Sequence, residues 1–483
     1  MLMTQTTRAL ISFRFSHMML GRCAMGAFVW LLAACTVGPE YRVPEINIGK
    51  GWSQPSVAGV VDPELATWWH SLGDPMLDRL IEMALAQNLD IRQAQSRIAE
   101  ERALRDLAIG ARVPTLQADV SVNRRRQSLN GPLPIGTIPG LNRDQTIHDV
   151  GFDTTWEIDL FGRIRRMVES AEANLQATEE AASGIQISIV AEVARTYLTL
   201  RGTQRELVAR SASVETLRRI TDTVRRRAVE GDLAPSDVDR AQAQFDTAAA
   251  VLPGIRARIR AAALGIGVLL GELPESQLVL AESESAEIML RHIPVGERAD
   301  VLRRRPDVRS AERRLAATTA NIGIATAEWF PRLSISANGG FQALAIDDLI
   351  KPSSQTLSII PLISWRIFDG GRIKAQIRAS EARQKAAAQV YEKTILSALT
   401  DAERSLSNYQ LSLESVHVQR AAIESARRSY GHAKQRFKFG DIALADLLEV
   451  VRILHEAEYL YAKTHTNAAT DLVALYKALG GGW

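Results

Sequence analysis

From Arg163 to Glu230 the chain runs for 68 residues without a proline, and from Arg372 to Phe439 it does so again. In the first run apolar residues fall at Ile164, Val168, Ala171, Leu175, Ala182, Ile185 and Ile189, in steps of three and four, with Thr178 in the one polar slot. That spacing is a heptad seam, and the further step of four from Ile189 to Val193 marks a stutter in it. At about 1.5 Å per residue each run spans about 100 Å as a helix. A helix of that length cannot fold back inside a compact globule, so each run is expected to be a coiled-coil arm or a wall.

The two runs belong to a duplication that covers most of the chain. An offset of 217 pairs Asp90 with Asp307, Arg92 with Arg309, Arg97 with Arg314 and Pro114 with Pro331. An offset of 209 then pairs Trp156 with Trp365, Gly162 with Gly371, Gly231 with Gly440 and Gly271 with Gly480. Matched glycines and prolines imply matched backbone turns. The expected organisation is a signal at 1–34, an N-terminal extension at 35–72, and repeats at 73–290 and 291–483.

Each repeat has the same order. A helical segment (88–113 and 306–330) ends at a proline. Extended segments follow at 115–123 and 332–341, where Leu116, Ala118, Val120 and Val122, and Leu333, Ile335 and Ala337, alternate with polar residues. Period two marks strands. A loop rich in Gly, Pro and Asn (129–142 in the first repeat) leads to a returning strand at 150–158 or 356–367. Each repeat thus offers one β-hairpin, with strands long enough to cross a bilayer when tilted. After the long helix, Gly231 and Gly440 suit the left-handed residue past a helix C-terminus, and Pro235 suits the first turn of the next helix. Return helices are expected at 236–270 and 443–478. Arg227, Gly231 and Asp237, matched by Arg436, Gly440 and Asp446, therefore mark the tips of two helical hairpins.

Four strands cannot close a membrane barrel, which needs at least about eight. Lipid offers no partner for open strand edges, so the strands are expected to combine with those of other copies in a ring. The N-terminus fits that setting. Residues 1–34 carry Arg8, Arg14 and Arg22, no acid, and the apolar run AMGAFVWLLAA, as an export signal does. The run ends in Leu-Ala-Ala-Cys at Cys35, which resembles the bacterial lipobox, whose cysteine is lipidated and becomes the new N-terminus. Thr36 after it favours the outer membrane by resemblance to the sorting rule. The full chain has 58 basic and 55 acidic residues, and losing the signal leaves it formally neutral. That balance gives no sign of nucleic-acid binding. Scattered histidines give no metal spacing, and no HExxH, GxSxG, P-loop or GxGxxG is present.

Four strings in order carry a specific resemblance: CTVGPEYRVP (35–44), DPMLDRLIEMALAQNLDIRQAQSRI (74–98), WEIDLFGRIRR (156–166) and RRPDVRSAERRLAATTANIGIATAEWFPRLSI (304–335). They resemble the lipoprotein branch of the TolC-type outer-membrane factors, the OprM-like or NodT group. The resemblance implies a mixed α and β membrane protein whose duplicated hairpin and long-helix units trimerise. The homotrimer would form a twelve-stranded outer-membrane β-barrel on a twelve-helix periplasmic α-barrel. It implies an exit duct of a tripartite efflux pump, passive and catalysing no reaction, without a cofactor beyond the lipid on Cys35. The partners it implies are a periplasmic adaptor and an inner-membrane transporter of the RND class. The hairpin tips, with Arg227, Gly231, Asp237, Arg436 and Gly440, would contact the adaptor. The second tip would line the periplasmic gate, where Asp446 and Glu449, three residues apart, share one helix face. There they would form a ring of carboxylates, although Asp446 equally suits a cap on the first helical turn. The alternative is a periplasmic adaptor lipoprotein with coiled-coil hairpins, but such adaptors carry one hairpin flanked by β-rich domains.

Three further groups of residues stand out. The sequence NRRRQ (123–127) lies where the first strand leaves the membrane, either as a solvated loop edge or as a contact for lipopolysaccharide phosphates. LRRRPD (302–307) opens a helix. Trp68 and Trp69 fit a collar around the tunnel's middle, and Trp156 and Trp365 suit either the aromatic belt of a membrane interface or the strand-to-helix junction.

Overall fold

The computed structural model describes residues 36–49, 51–53, 63–130, 142–282 and 289–481. The expected signal at 1–34, Cys35 and most of the first strand-joining loop lie outside the described residues. In chain order the helices are α1 (Pro75–Gln87), α2 (Leu89–Gly110), α3 (Arg163–Val229), α4 (Pro235–Ala249), α5 (Leu252–Leu269), α6 (Arg298–Arg304), α7 (Pro306–Ala327), α8 (Arg372–Lys438) and α9 (Leu444–Ala478). The strands are β1 (Thr115–Arg126), β2 (Asp144–Ile158), β3 (Arg332–Ala343) and β4 (Gln355–Ser364). Among the described residues no helix is long and apolar enough to cross a membrane.

The duplication is visible in the backbone. The paired glycines share left-handed φ values: 81° and 83° at Gly162 and Gly371, 87° and 81° at Gly231 and Gly440, 74° and 77° at Gly271 and Gly480. The helix before each hairpin stops one short turn ahead of the proline, at Gly110 before Pro114 and at Ala327 before Pro331. α3 and α8 have the same length, 67 residues each. Each starts under a carboxylate cap, Asp159 accepting from the backbone N–H of Ile164 and Arg165, and Asp369 from those of Gly371 and Ile373.

One of the two return helices differs from expectation. The second, α9, is unbroken, but the first is interrupted at Ala250 and Val251, between α4 and α5. Pro253 causes the break, because it has no N–H to give to the preceding turn. Its counterpart by the 209 offset is Ala462, which α9 carries without interruption. The first hairpin is also longer than its alternation indicated. β1 continues through Arg126 and β2 begins at Asp144, so the arginines are strand residues. β4 ends at Ser364, before Trp365.

The described residues form two compact units, each assembled from both repeats. The first holds the chain up to Pro44, Ala99–Ala177 and Glu312–Val390. The second holds Glu45–Ile98, Thr178–Ala311 and the chain from Tyr391 onward. In the first unit the four strands make one antiparallel sheet in the order β1-β2-β3-β4. The extended segment from Thr36 lies along this unit. Val37 donates to Phe161 O at 3.2 Å, Arg166 Nε donates to Val37 O, and the Tyr41 hydroxyl donates to Glu312.

The second unit contains the main core. Trp68, Leu77, Leu80, Ile81, Ile91, Tyr197, Leu198, Ile266, Leu472 and Tyr476 are buried together in it. Trp68 stacks on Tyr476 with ring centroids 4.8 Å apart, and Trp69 meets Trp68 edge-on. Asp74 caps α1 through Met76 N–H and also accepts from the buried Tyr197 hydroxyl at 2.7 Å. The N-terminal segment is stitched in here as well. Trp52 Nε1 donates to Gly296 O at 2.7 Å, Ser53 donates to Glu403, and Arg298 joins Ile48 O to Glu403.

Candidate functional site

The register of the sheet separates its two faces. On one face lie Leu116, Ala118, Val120 and Val122 of β1, then Val150, Phe152, Trp156 and Ile158 of β2. The same face continues with Leu333, Ile335, Ala337 and Phe341 of β3 and Leu357, Ile359, Pro361 and Ile363 of β4. The opposite face is mostly polar. It carries Gln117, Asp119, Ser121, Asp149, Asp153, Ser334, Ser336, Asn338, Thr356 and Ser358, with Ile147, Ile360 and Leu362 as its apolar members. Among the described residues much of the apolar face is uncovered: Val120 is 75% exposed and Leu357 80%, whereas Ala343 at the end of β3 is buried. An apolar patch of this extent marks a membrane or protein contact. On β2 it runs from Val150 to Ile158, roughly 27 Å along the strand, close to the outward apolar band of a membrane barrel. Among the described residues both edge strands, β1 and β4, pair on one side only. Pro361 is tolerated because it sits on such an edge.

Two tryptophans fasten the ends of the hairpins near the helix junctions. Trp156 Nε1 donates to Arg112 O and Trp365 Nε1 to Trp329 O, both at 3.0 Å. Arg112 and Trp329 are themselves related by the 217 offset, so the duplication preserves this bond. Trp156 lies on the apolar face and is tied to the junction as well.

The helical tips lie in the second unit and repeat one design. Asp232 N–H donates to Arg227 O and Asp441 N–H to Arg436 O, both at 2.9 Å, closing a Schellman-type turn around Gly231 and Gly440. A Cβ on either glycine would meet nothing within 4 Å, so glycine is there for its left-handed φ rather than for space. The N–H groups of Ala234 and Ala443 donate to Asp237 and Asp446, both at 3.3 Å. Arg227 reaches across to the second tip: its Nη1 donates to Phe437 O at 3.4 Å, and its guanidinium lies 5.3 Å from the Phe437 ring. Arg436 stays in its own turn, donating to Asp441 O. Leu217, Val224, Ala241, Phe437, Leu444, Leu447, Leu448 and Val451 pack beneath both turns, so the two hairpins form one body at this end.

Asp446 and Glu449 are both exposed, on the side of α9 away from Leu447 and Leu448. They are not equivalent. Asp446 caps its helix, as its counterpart Asp237 does. Glu449 receives a two-pronged bond from Arg452, at 2.9 and 2.7 Å, and that guanidinium holds its carboxyl below the ordinary carboxylate range. At the first tip, Arg240 and Ala243 stand where Glu449 and Arg452 do, so this ion pair belongs to the second tip alone. The Glu449–Arg452 spacing of three was visible in the sequence, whereas Arg227's reach to Phe437, 210 residues away, had no local signal.

Farther along α9 the buried His455 faces α3, its Nδ1 2.5 Å from Ser213 Oγ. Burial, with Arg210 adding to it, pushes the imidazole down from 6.5 to about 4. The unfolded chain therefore takes up this proton first, and stability falls as pH drops from 6.5 toward 4. The expected loss at pH 5 is about 2 kcal/mol. Amide-exchange protection of α3 and α9, corrected for intrinsic rates, is expected to be lower at pH 5 than at pH 7, and His455→Gln to remove that part of the dependence. Among the described residues no cluster of three or more histidine, cysteine or acidic side chains is placed to hold a metal.

The family of outer membrane efflux proteins matches residues 80–272 and 298–481, one stretch in each repeat. The solvent efflux pump outer membrane protein SrpC of Pseudomonas putida is 31% identical over 464 residues, covering 94% of this chain and 96% of the relative. Nodulation protein T of Rhizobium leguminosarum bv. trifolii is 29% identical over 466 residues, with 94% and 96% covered. The solved outer-membrane channel OprN superposes with a TM-score of 0.84 at 33% identity, covering 93% of this chain and 100% of that one. A four-stranded two-faced sheet, two paired helical hairpins and matches through both repeats converge: the chain belongs to the outer membrane efflux protein family and is the outer-membrane channel component of an efflux pump.

Proposed function

We propose that this channel is a homotrimer in which three four-stranded sheets close a twelve-stranded barrel and the long helices line a periplasmic conduit. The observation that carries the reading is the sheet itself. Its apolar face suits lipid, its polar face suits a water-filled lumen, and its two one-sided edge strands need partners from neighbouring copies. The conduit is passive and performs no chemistry, and small organic molecules of the kind named for the solvent-pump relative are its proposed cargo. A periplasmic adaptor is the proposed partner of the tips at Arg227, Gly231, Asp237, Arg436 and Gly440, and an inner-membrane RND-type transporter supplies the energy.

We further propose that residues 1–34 are a cleaved signal and that Cys35 carries the lipid anchor, ahead of an extension to 72 and repeats at 73–290 and 291–483. Thr36 supports the anchor: it lies against Gly162, just past the end of β2.

For the gate, Asp446 and Glu449 would be presented once per protomer around the periplasmic opening. The ring is more nearly neutral than bare carboxylates, because Arg452 sits on Glu449. Glu449→Ala removes the hydrogen-bonded partner of that guanidinium and is expected to shift the permeability ratio toward anions several-fold, since like charges gathered in a neck dominate its selectivity. Planar-bilayer recordings of the purified protein test both levels of the reading. A conducting wild type with altered selectivity in the variant supports the gate. Unchanged selectivity and open probability in Glu449→Ala remove the gate role, and a wild type that passes no ions removes the conduit.

A further inference from the structure

The three arginines of β1 are divided between the two faces of the sheet. Arg124 pairs across to Thr146 and Arg126 to Asp144, which puts both on the face of Leu116, Val120, Val122 and Val150. Arg125 pairs to Gln145 on the polar face. The apolar ladder of the first hairpin stops at Val122 and Val150, and the next outward positions on β1 are these two guanidinium groups, roughly 7 Å apart along the strand. Both are exposed. Arg126 lies 3.0 Å from Asp144, an exposed pair that another anion can replace at little cost. The Arg124 guanidinium has no ion-pair or hydrogen-bond partner among the described residues. The corresponding end of the second hairpin shows nothing similar: its outward positions are Phe341, Ala343 and Gln355. The second hairpin carries its rim charge in the connecting turn instead, at Asp347, Asp348 and Lys351, with Lys351 paired to Asp348. The paired cations occur on the first hairpin, on the lipid-facing side, at the end remote from the helix junctions.

We infer that Arg124 and Arg126 form a binding site for the phosphate groups of a phosphorylated glycolipid in the external leaflet, seated on the outward face of the first hairpin. The inference rests on the membrane reading above, which makes the helix-free end of the sheet the external one. Guanidinium groups meet phosphate oxygens in two-pronged, charge-assisted bonds. The lipid's chains would lie along Val122, Val120 and Val150, while its headgroup reaches the arginines. The site is therefore continuous with the apolar face instead of being a separate pocket.

The test uses the full mature protein in detergent, titrated with lipopolysaccharide and with its phosphatase-treated form and followed by native mass spectrometry. Conductance of the same preparation is recorded. Wild type is expected to bind the phosphorylated form about tenfold tighter than the dephosphorylated one. The double variant Arg124→Gln/Arg126→Gln is expected to lose that preference, and Arg125→Gln, on the lumen face, to keep it within about twofold. Equal binding of the two lipid forms by wild type overturns the site without recourse to any variant. An equal loss in Arg125→Gln overturns it too, because the face would then not matter. If wild type conducts but shows no phosphate preference, the lipid site alone falls. If wild type forms no conducting oligomer, the membrane reading falls and takes the site with it.

Discussion

Val120→Arg is expected to abolish accumulation of the assembled channel in the outer membrane. Val120 lies midway along β1, opposite Val150, on the uncovered apolar face. In a water-soluble protein an exposed valine replaced by arginine changes stability by no more than about 0.5 kcal/mol. On the lipid face of a barrel the same change costs about 2–4 kcal/mol near the bilayer midplane, repeated in every copy of the ring. The contrast between the two environments makes this substitution informative. Ser121→Arg, one residue on and on the polar face, is the control and is expected to assemble. Outer-membrane fractionation with heat-modifiable migration in SDS gels reads both. Equal assembly of the two variants would show that the face of Val120 does not meet lipid.

Trp68→Ala carries the second large effect, in the second unit. Trp68 is 1% exposed, stacked on Tyr476 of α9 and edge-on to Trp69. Around it α1, held by the Asp74 cap, and Tyr197 of α3 meet the same core. Removing a buried indole costs about 3–5 kcal/mol, because the surrounding side chains only partly fill the space. The expected result is early proteolytic cleavage near 63–72 and a lowered unfolding midpoint, with the strands still assembled. Limited proteolysis with site mapping checks it. Resistance equal to wild type would mean that this core does not hold the segment in place. Trp68 and Trp69 both pack in this core.

Much of this was legible because duplication copies backbone conformation as well as residues. Gly231 and Gly440, or Gly162 and Gly371, read as matched turns and adopt φ values within a few degrees of each other. Period-two alternation located the first strand of each hairpin, since the two faces of the sheet differ in polarity, and the returning strands followed from the hairpin order. It undercounted the first hairpin for the same reason. Beyond Val122 the outward residues become Arg124 and Arg126, so the alternation disappears while the hydrogen-bonded ladder continues. Pro253 was in view, yet the helical pattern ran through it and hid the break before α5. Least legible were contacts between segments far apart in the chain. Val37 with Phe161, Trp52 with Gly296, and Arg227 with Phe437 leave no local pattern, because any donor near any carbonyl would read the same. At the tip, Asp446 satisfies its own helix's N-terminus at the position where a gate carboxylate was expected. The stronger candidate for charge at the neck is therefore Glu449, together with the arginine that holds it.

On the proposed reading, the four strands that each chain supplies close a barrel only together with those of other copies. The native mass of the purified mature protein in detergent tests this most directly. Three chains are expected, in a complex that survives mild SDS and collapses to one on heating. A stable single chain, with β1 and β4 left open in the same detergent, would contradict it.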